Sequence, residues 1–134
     1  MNNITTPQEA VDFFAKHLRT QGTLARDANG HCRYRMPTGE ACGIGGMILD
    51  EHYSEELENN ASEDKSVVEA LCLSGVEYTR ICIAAQSRLF FAELQYLHDN
   101  CPLSRYTKQL GLPEQFETRL QQFCGEYGLQ YPDP

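Results

Sequence analysis

The sequence predicts a mainly α-helical (α+β) fold, a single compact domain over residues 1–134 with one small β-hairpin near residues 23–36. Three observations lead there. Apolar residues return every three to four positions in several separate windows, as in helices with one buried face. Those windows carry helix punctuation, with Thr6-Pro7 at one start and Gly22, Gly75 and Gly111 at three ends. The alternating stretch around Asn29-Gly30 carries the signal of a tight turn between short strands. With 134 residues, 41% of them hydrophobic, the chain is long enough to close one core.

Taken in order, Thr6-Pro7-Gln8-Glu9 combines an N-cap, a proline at the first helical position and a glutamate placed for a capping box, so a helix is expected over 7–21. Val11, Phe14, Ala15 and Leu18 form its buried face, and His17 lies beside it as a partly buried, hydrogen-bonded side chain. In the hairpin, Arg33 and Arg35 share one strand face while Cys32, Tyr34 and Met36 share the other, which exposes the arginines. Ser54–Leu57 can form a short helical turn. A helix is expected over 62–74, capped by Ser62, with Val67, Val68, Leu71 and Cys72 inward. Residues 76–85 permit a strand, but their apolar spacing continues into a long helix over 80–98 with Phe90, Leu94 and Leu97 in the core, broken at Cys101-Pro102. A short helix over 103–110 and a last one over 113–127 follow, the latter with Phe116, Leu120, Phe123 and Tyr127 in a core stripe. The tail from Tyr131 is expected to be extended and exposed.

The stretch Gly39–Tyr53 organises the rest. Read as a helix over 41–49, it puts Cys42, Gly45, Gly46 and Leu49 on one side, where small residues admit a neighbouring backbone. Each glycine inside a helix costs up to ~1 kcal/mol relative to alanine, so close packing has to compensate at Gly43, Gly45 and Gly46. The competing local reading is a turn whose amides cradle an anion, although the phosphate-loop pattern is missing.

The formal charge is −8, and its placement says more than its sum. Between residues 50 and 69, eight acids (Asp50, Glu51, Glu55, Glu56, Glu58, Glu63, Asp64 and Glu69) face Lys65 alone, a net of −7. Between residues 16 and 35, five lysines and arginines face only Asp27, a net of +4. Global acidity argues against general nucleic-acid binding, which needs clustered cations. No apolar run reaches the ~18 residues of a membrane span, and the first residues lack the regions of a signal peptide. A cytoplasmic protein is therefore expected, and the six scattered cysteines fit reduced thiols.

Two motifs stand out, Cys42-x-Ile44-Gly45-x-x-Ile48-x-Asp50-Glu51-x-Tyr53 and Leu94-Gln95-x-x-His98-Asp99, with Cys32-x-Tyr34 and Gly39 upstream. Together they resemble a group of small uncharacterised proteins common in bacteriophages and prophages. The usual form of the first motif reads C-A-I-G-C-L-I-P-D-E-x-Y, and this chain has Gly46 where the second cysteine stands and Leu49 where the proline stands. The resemblance implies a phage-type accessory protein acting inside the host cell, without implying a reaction.

Two function classes follow. The leading expectation is an interaction protein that binds and modulates a host or phage protein through the acidic 50–69 face, with Asp50, Glu51, Tyr53, Glu55, Glu56 and Glu58 as the binding residues and a basic partner surface. The alternative is a cysteine-dependent hydrolase or transferase, with Cys42 as nucleophile, His98 as base and Asp99 or Asp50 orienting it. No cofactor or metal is expected. His31, Cys32, Cys42, His52, His98 and Cys101 offer nitrogen and sulfur donors, yet they lack the paired spacing of a zinc site.

Overall fold

The computed structural model describes residues 2–26, 32–61, 64–84, 89–99 and 115–133. Among them are six α-helices: α1 (Pro7–Gln21), α2 (Gly43–Met47), α3 (Lys65–Leu73), α4 (Tyr78–Ala84), α5 (Leu89–Asp99) and α6 (Gln115–Tyr127). Two single-turn 3-10 helices, Asp50–His52 and Glu55–Leu57, stand between α2 and α3. The chain is mainly helical as expected, and no helix among the described residues is long and apolar enough to cross a membrane.

The start of α1 is fixed by its sequence. Thr6 Oγ1 accepts from the Glu9 N–H, and the Glu9 carboxylate in return accepts from the Thr5 N–H and both threonine hydroxyls, which holds its pKa below the ordinary carboxylate value. Gly22 ends the helix at φ 79, a left-handed conformation that suits glycine. Ala10, Val11, Phe14, Ala15 and Leu18 are all buried, and this face packs on α2.

That packing explains how α2 survives on three glycines. A side chain at Gly43 would strike the Phe14 ring, one at Gly45 the Tyr34 carbonyl and one at Gly46 the His17 imidazole. The helix is shorter than the expected 41–49, because Cys42 serves as its N-cap and Ile48 already has extended geometry. Elsewhere, Phe90 is the hub of the aromatic core, meeting Tyr78, Phe91, Phe123 and Tyr127 edge-on at centroid distances of 5.1–5.5 Å. The predicted stripe of α6 is thereby placed, with Phe116, Leu120 and Phe123 buried and Tyr127 half-buried.

The expected hairpin is not found as strands. Among the described residues the β pairing amounts to two isolated antiparallel bridges, Arg26 with Cys32 and Arg35 with Ala41. The reason lies in where the backbone amides point: the Tyr34 and Arg35 N–H groups donate to the two oxygens of the Glu58 carboxylate (2.9 and 3.1 Å), so a side chain takes the place of a partner strand. The Asn29-Gly30 turn lies outside the described residues.

Two of the expected helices also differ in their bounds. The helix expected over 62–74 begins at Lys65 with Asp64 as N-cap, and Ser62 lies outside the described residues. The one expected over 80–98 corresponds to α4 and α5, with residues 85–88 between them outside the description. The Cys101-Pro102 break and the 103–110 helix are likewise outside it. The C-terminal tail, expected to be extended and exposed, is irregular and partly covered by contacts: the Gln130 N–H donates to Gln8, the Tyr131 hydroxyl to Glu117, and Arg19 to the Asp133 carbonyl.

Candidate functional site

The two sequence motifs meet where the first turn of α2 approaches the end of α5. Cys42 Sγ accepts from the Gly45 N–H at 3.2 Å, the local bond that starts α2. Beside it lies the amide of Gln95, whose Nε2 donates to Asp99 Oδ1 at 2.7 Å. Gln95 Oε1 is buried without a hydrogen-bond partner, and the Gln95 side chain acts on the Cys42 thiol in the sense of a donor, pulling its pKa down against the larger effect of burial. The same Asp99 oxygen lies 3.0 Å from His98 Nδ1, and His98 Nε2 lies 3.1 Å from the Ala25 amide nitrogen.

The tautomer follows from those partners. A backbone N–H can only donate, so Nε2 of His98 is the acceptor and Nδ1 carries the proton that Asp99 receives. The ring is fully buried, and burial lowers its pKa, against the opposing pull of Asp99. His98 is thus a neutral clamp joining the Leu24–Arg26 segment to α5. Arg26 reinforces the clamp by donating to the carbonyls of His98 and Asp99, both at 2.8 Å, at the helix C-terminus where cations are favoured.

This geometry bears directly on the cysteine–histidine alternative. Both imidazole nitrogens are engaged, leaving none to take a proton from Cys42. Burial pushes the Cys42 thiol up to about 12, despite the hydrogen bond from Gly45, which is the reverse of what a nucleophilic cysteine needs. Asp50, the other candidate for the orienting acid, pairs instead with Arg35 at 2.5 Å.

A metal-like donor set does exist, since ligand atoms of Cys32, His98 and Asp99 all lie within 4.8 Å of one another. Its chemistry does not suit a cation. To bind a metal through Nδ1 while Nε2 still accepts from the Ala25 N–H, the imidazole would have to lose both protons, whereas metal-bound histidine normally donates its second N–H. Cys32 is half-buried, with its thiol pushed up to about 11 by burial and by the Asp99 charge. Of the other donors, His52 closes the first 3-10 turn, while His31 and Cys101 lie outside the described residues.

The acidic residues divide into two groups. Asp50, Glu51, Glu55 and Glu56 stand exposed on the two 3-10 turns. The Asp50 side chain, 97% exposed, pairs with Arg35, and Glu55, 76% exposed, pairs with Arg33 at 2.9 Å. Glu58 corrects the expectation that it belongs to the binding face: it is 8% exposed and accepts from two backbone amides and from the Tyr53 hydroxyl at 2.6 Å. Burial, with that bond to Glu58, pushes the Tyr53 phenol up to about 12. The Tyr53 ring carries the Arg35 guanidinium 4.7 Å above its centroid, so it is half-buried beneath the face. Sequence spacing offers no means of telling Glu58 from its exposed neighbours.

Next to this face opens a cleft of about 320 Å³ between the Glu58–Ala61 turn and α5, with Tyr34, Asn59, Gln95, Tyr96 and Asp99 among its walls. Asn59 adopts φ 70, and Tyr96 is 61% exposed. Sequence reasoning missed both residues, although an asparagine pair ahead of a helix is a fair signal for a left-handed turn. Comparison with protein-family models, curated proteins and solved structures finds no match for this chain.

Proposed function

We propose that the protein is a non-enzymatic accessory protein of phage type that docks on a basic surface of a host or phage protein through its two acidic 3-10 turns. One observation carries this reading: four exposed acids, Asp50, Glu51, Glu55 and Glu56, sit on two backbone-bonded 3-10 turns that flank Tyr53, whose hydroxyl is held by the buried Glu58 carboxylate. A preformed charged surface loses little freedom on binding and steers an oppositely charged partner into contact. Arg33 and Arg35 are drawn against Glu55 and Asp50, so Glu51 and Glu56 are the acids outside those ion pairs. The motif resemblance supports a phage setting, and the engaged state of His98 and Cys42 counts against a catalytic reading.

The test is capture of a partner from bacterial lysate by the wild-type protein and by the Glu51→Lys/Glu56→Lys variant. A partner retained by the wild type and by a Glu69→Lys control, but released by the double variant, is the expected result. Equal retention by all three proteins would overturn the proposal.

A further inference from the structure

The cleft beside the acidic turns holds a carboxylate whose pairing is incomplete. Asp99 is 35% exposed in its side chain, and Oδ1 receives both the Gln95 and the His98 protons. Oδ2 accepts no hydrogen bond among the described residues, and Arg26 donates to the Asp99 backbone carbonyl. The arginine that lines the cleft, Arg33, is committed to Glu55 and to the Arg35 carbonyl. Tyr96 presents an aromatic ring at the same cleft, and Asn59 and Asn60 form its opposite wall. At about 320 Å³ the space lies at the small end of the ~300–1,000 Å³ usual for ligand sites, which suits one side chain better than a nucleotide-sized cofactor.

We propose that this cleft receives a single guanidinium group, an arginine side chain of the basic partner, paired with the Asp99 carboxylate and stacked on the Tyr96 ring. The inference rests on the docking reading above and names the chemistry of its anchor. A guanidinium is favoured over an ammonium because it is planar, lies flat on an aromatic face and offers several N–H donors in one plane. Glu58 and Asn59, which line this cleft, directly follow the second acidic turn in the chain, so a partner drawn in by Glu51 and Glu56 brings its side chains near this opening.

The experiment is a titration of the isotope-labelled protein with N-acetyl-arginine amide and, separately, with N-acetyl-lysine amide, followed by amide NMR shifts. The arginine compound is expected to shift Asn59, Asn60, Gln95 and Tyr96 and to bind about fivefold or more tightly than the lysine compound. Asp99→Asn keeps an oxygen for His98 while removing the charge, and should weaken the arginine compound about tenfold. Tyr96→Ala, at an exposed position, should weaken it about threefold and carries the test if the Asp99 variant fails to fold. Equal affinity for the two compounds, or shifts confined to Glu51 and Glu56, overturns the cleft assignment.

Two further outcomes separate this inference from the docking proposal. If the arginine compound leaves the cleft amides unmoved while Glu51→Lys/Glu56→Lys still releases a captured partner, the cleft falls and the docking face stands. If the compound binds the cleft but the double variant retains every captured partner, the docking face falls and the guanidinium site stands.

Discussion

Glu58 accepts from two backbone amides and a phenol, so replacing it with glutamine would point an NH2 group at donors. We expect Glu58→Gln to lose about 1–3 kcal/mol of stability, the usual cost of leaving buried groups unpaired, measured by urea unfolding. Glu56→Gln, at an exposed site, should be close to neutral, and equal effects would refute the role assigned to Glu58. His98 makes a second residue-scale prediction. Its folded pKa lies below the ordinary 6.5 because the ring is buried, so on acidification the unfolded chain takes up a proton before the native ring does. Its contribution is therefore whole above about pH 6.5 and declines as the pH falls below that value. The urea midpoint should drop between pH 7.5 and 5.5, and His98→Gln, which can still accept from Ala25 and donate to Asp99, should show a smaller drop. A midpoint that does not move would contradict the buried neutral ring. At this scale the sequence was half legible: Cys42, His98 and Asp99 were expected as one set and Gln95 only as part of a motif, and spacing could not show that they meet, while which nitrogen faces which donor depends on Ala25, more than seventy residues away from His98 in the chain.

Helix α2 and helix α6 treat glycine in opposite ways. At Gly45 an added Cβ would lie 2.7 Å from the Tyr34 carbonyl carbon, a backbone atom that cannot swing aside, whereas at Gly125 there is nothing within 4 Å. Gly45→Ala is accordingly expected to cost about 1–3 kcal/mol through overpacking, while Gly125→Ala should gain up to about 1 kcal/mol of helix propensity. Thermal melts of the two variants should move in opposite directions, and a Gly45→Ala protein as stable as the parent would refute the close approach. The glycine-rich stretch was readable as tightly packed because the propensity penalty demanded compensation. The failure of the hairpin was not readable, because alternation at 32–36 says nothing about a carboxylate arriving from Glu58 to take the strand's hydrogen bonds.

Across the whole molecule, the core followed largely from periodicity: the apolar residues expected inside α1 and α5 are all buried, while Val68 and Cys72 of α3 and Tyr127 of α6 are half-buried. What periodicity does not carry is how the ends are fastened. The Asn2 and Ile4 amides donate to Ser74 and Gly75, and Arg19 holds both Glu117 and the tail carbonyl of Asp133. Long-range charge should matter in the same global sense. Partner capture is expected to weaken as salt rises from about 0.05 to 0.5 M, since the Debye length shrinks well below 10 Å over that range. Capture indifferent to salt would point away from the acidic turns.

The buried Glu58 has a further effect on what the protein can become. Because Glu58 anchors Tyr53 and the Tyr34–Arg35 backbone through bonds in which Glu51 and Glu56 take no part, the side chains at 51 and 56 are free to vary without disturbing that anchor. A library randomised at those two positions should remain largely folded by protease resistance while its partner preference disperses. Recognition could then be retuned in single steps on an unchanged frame, an advantage for any protein whose target is itself changing.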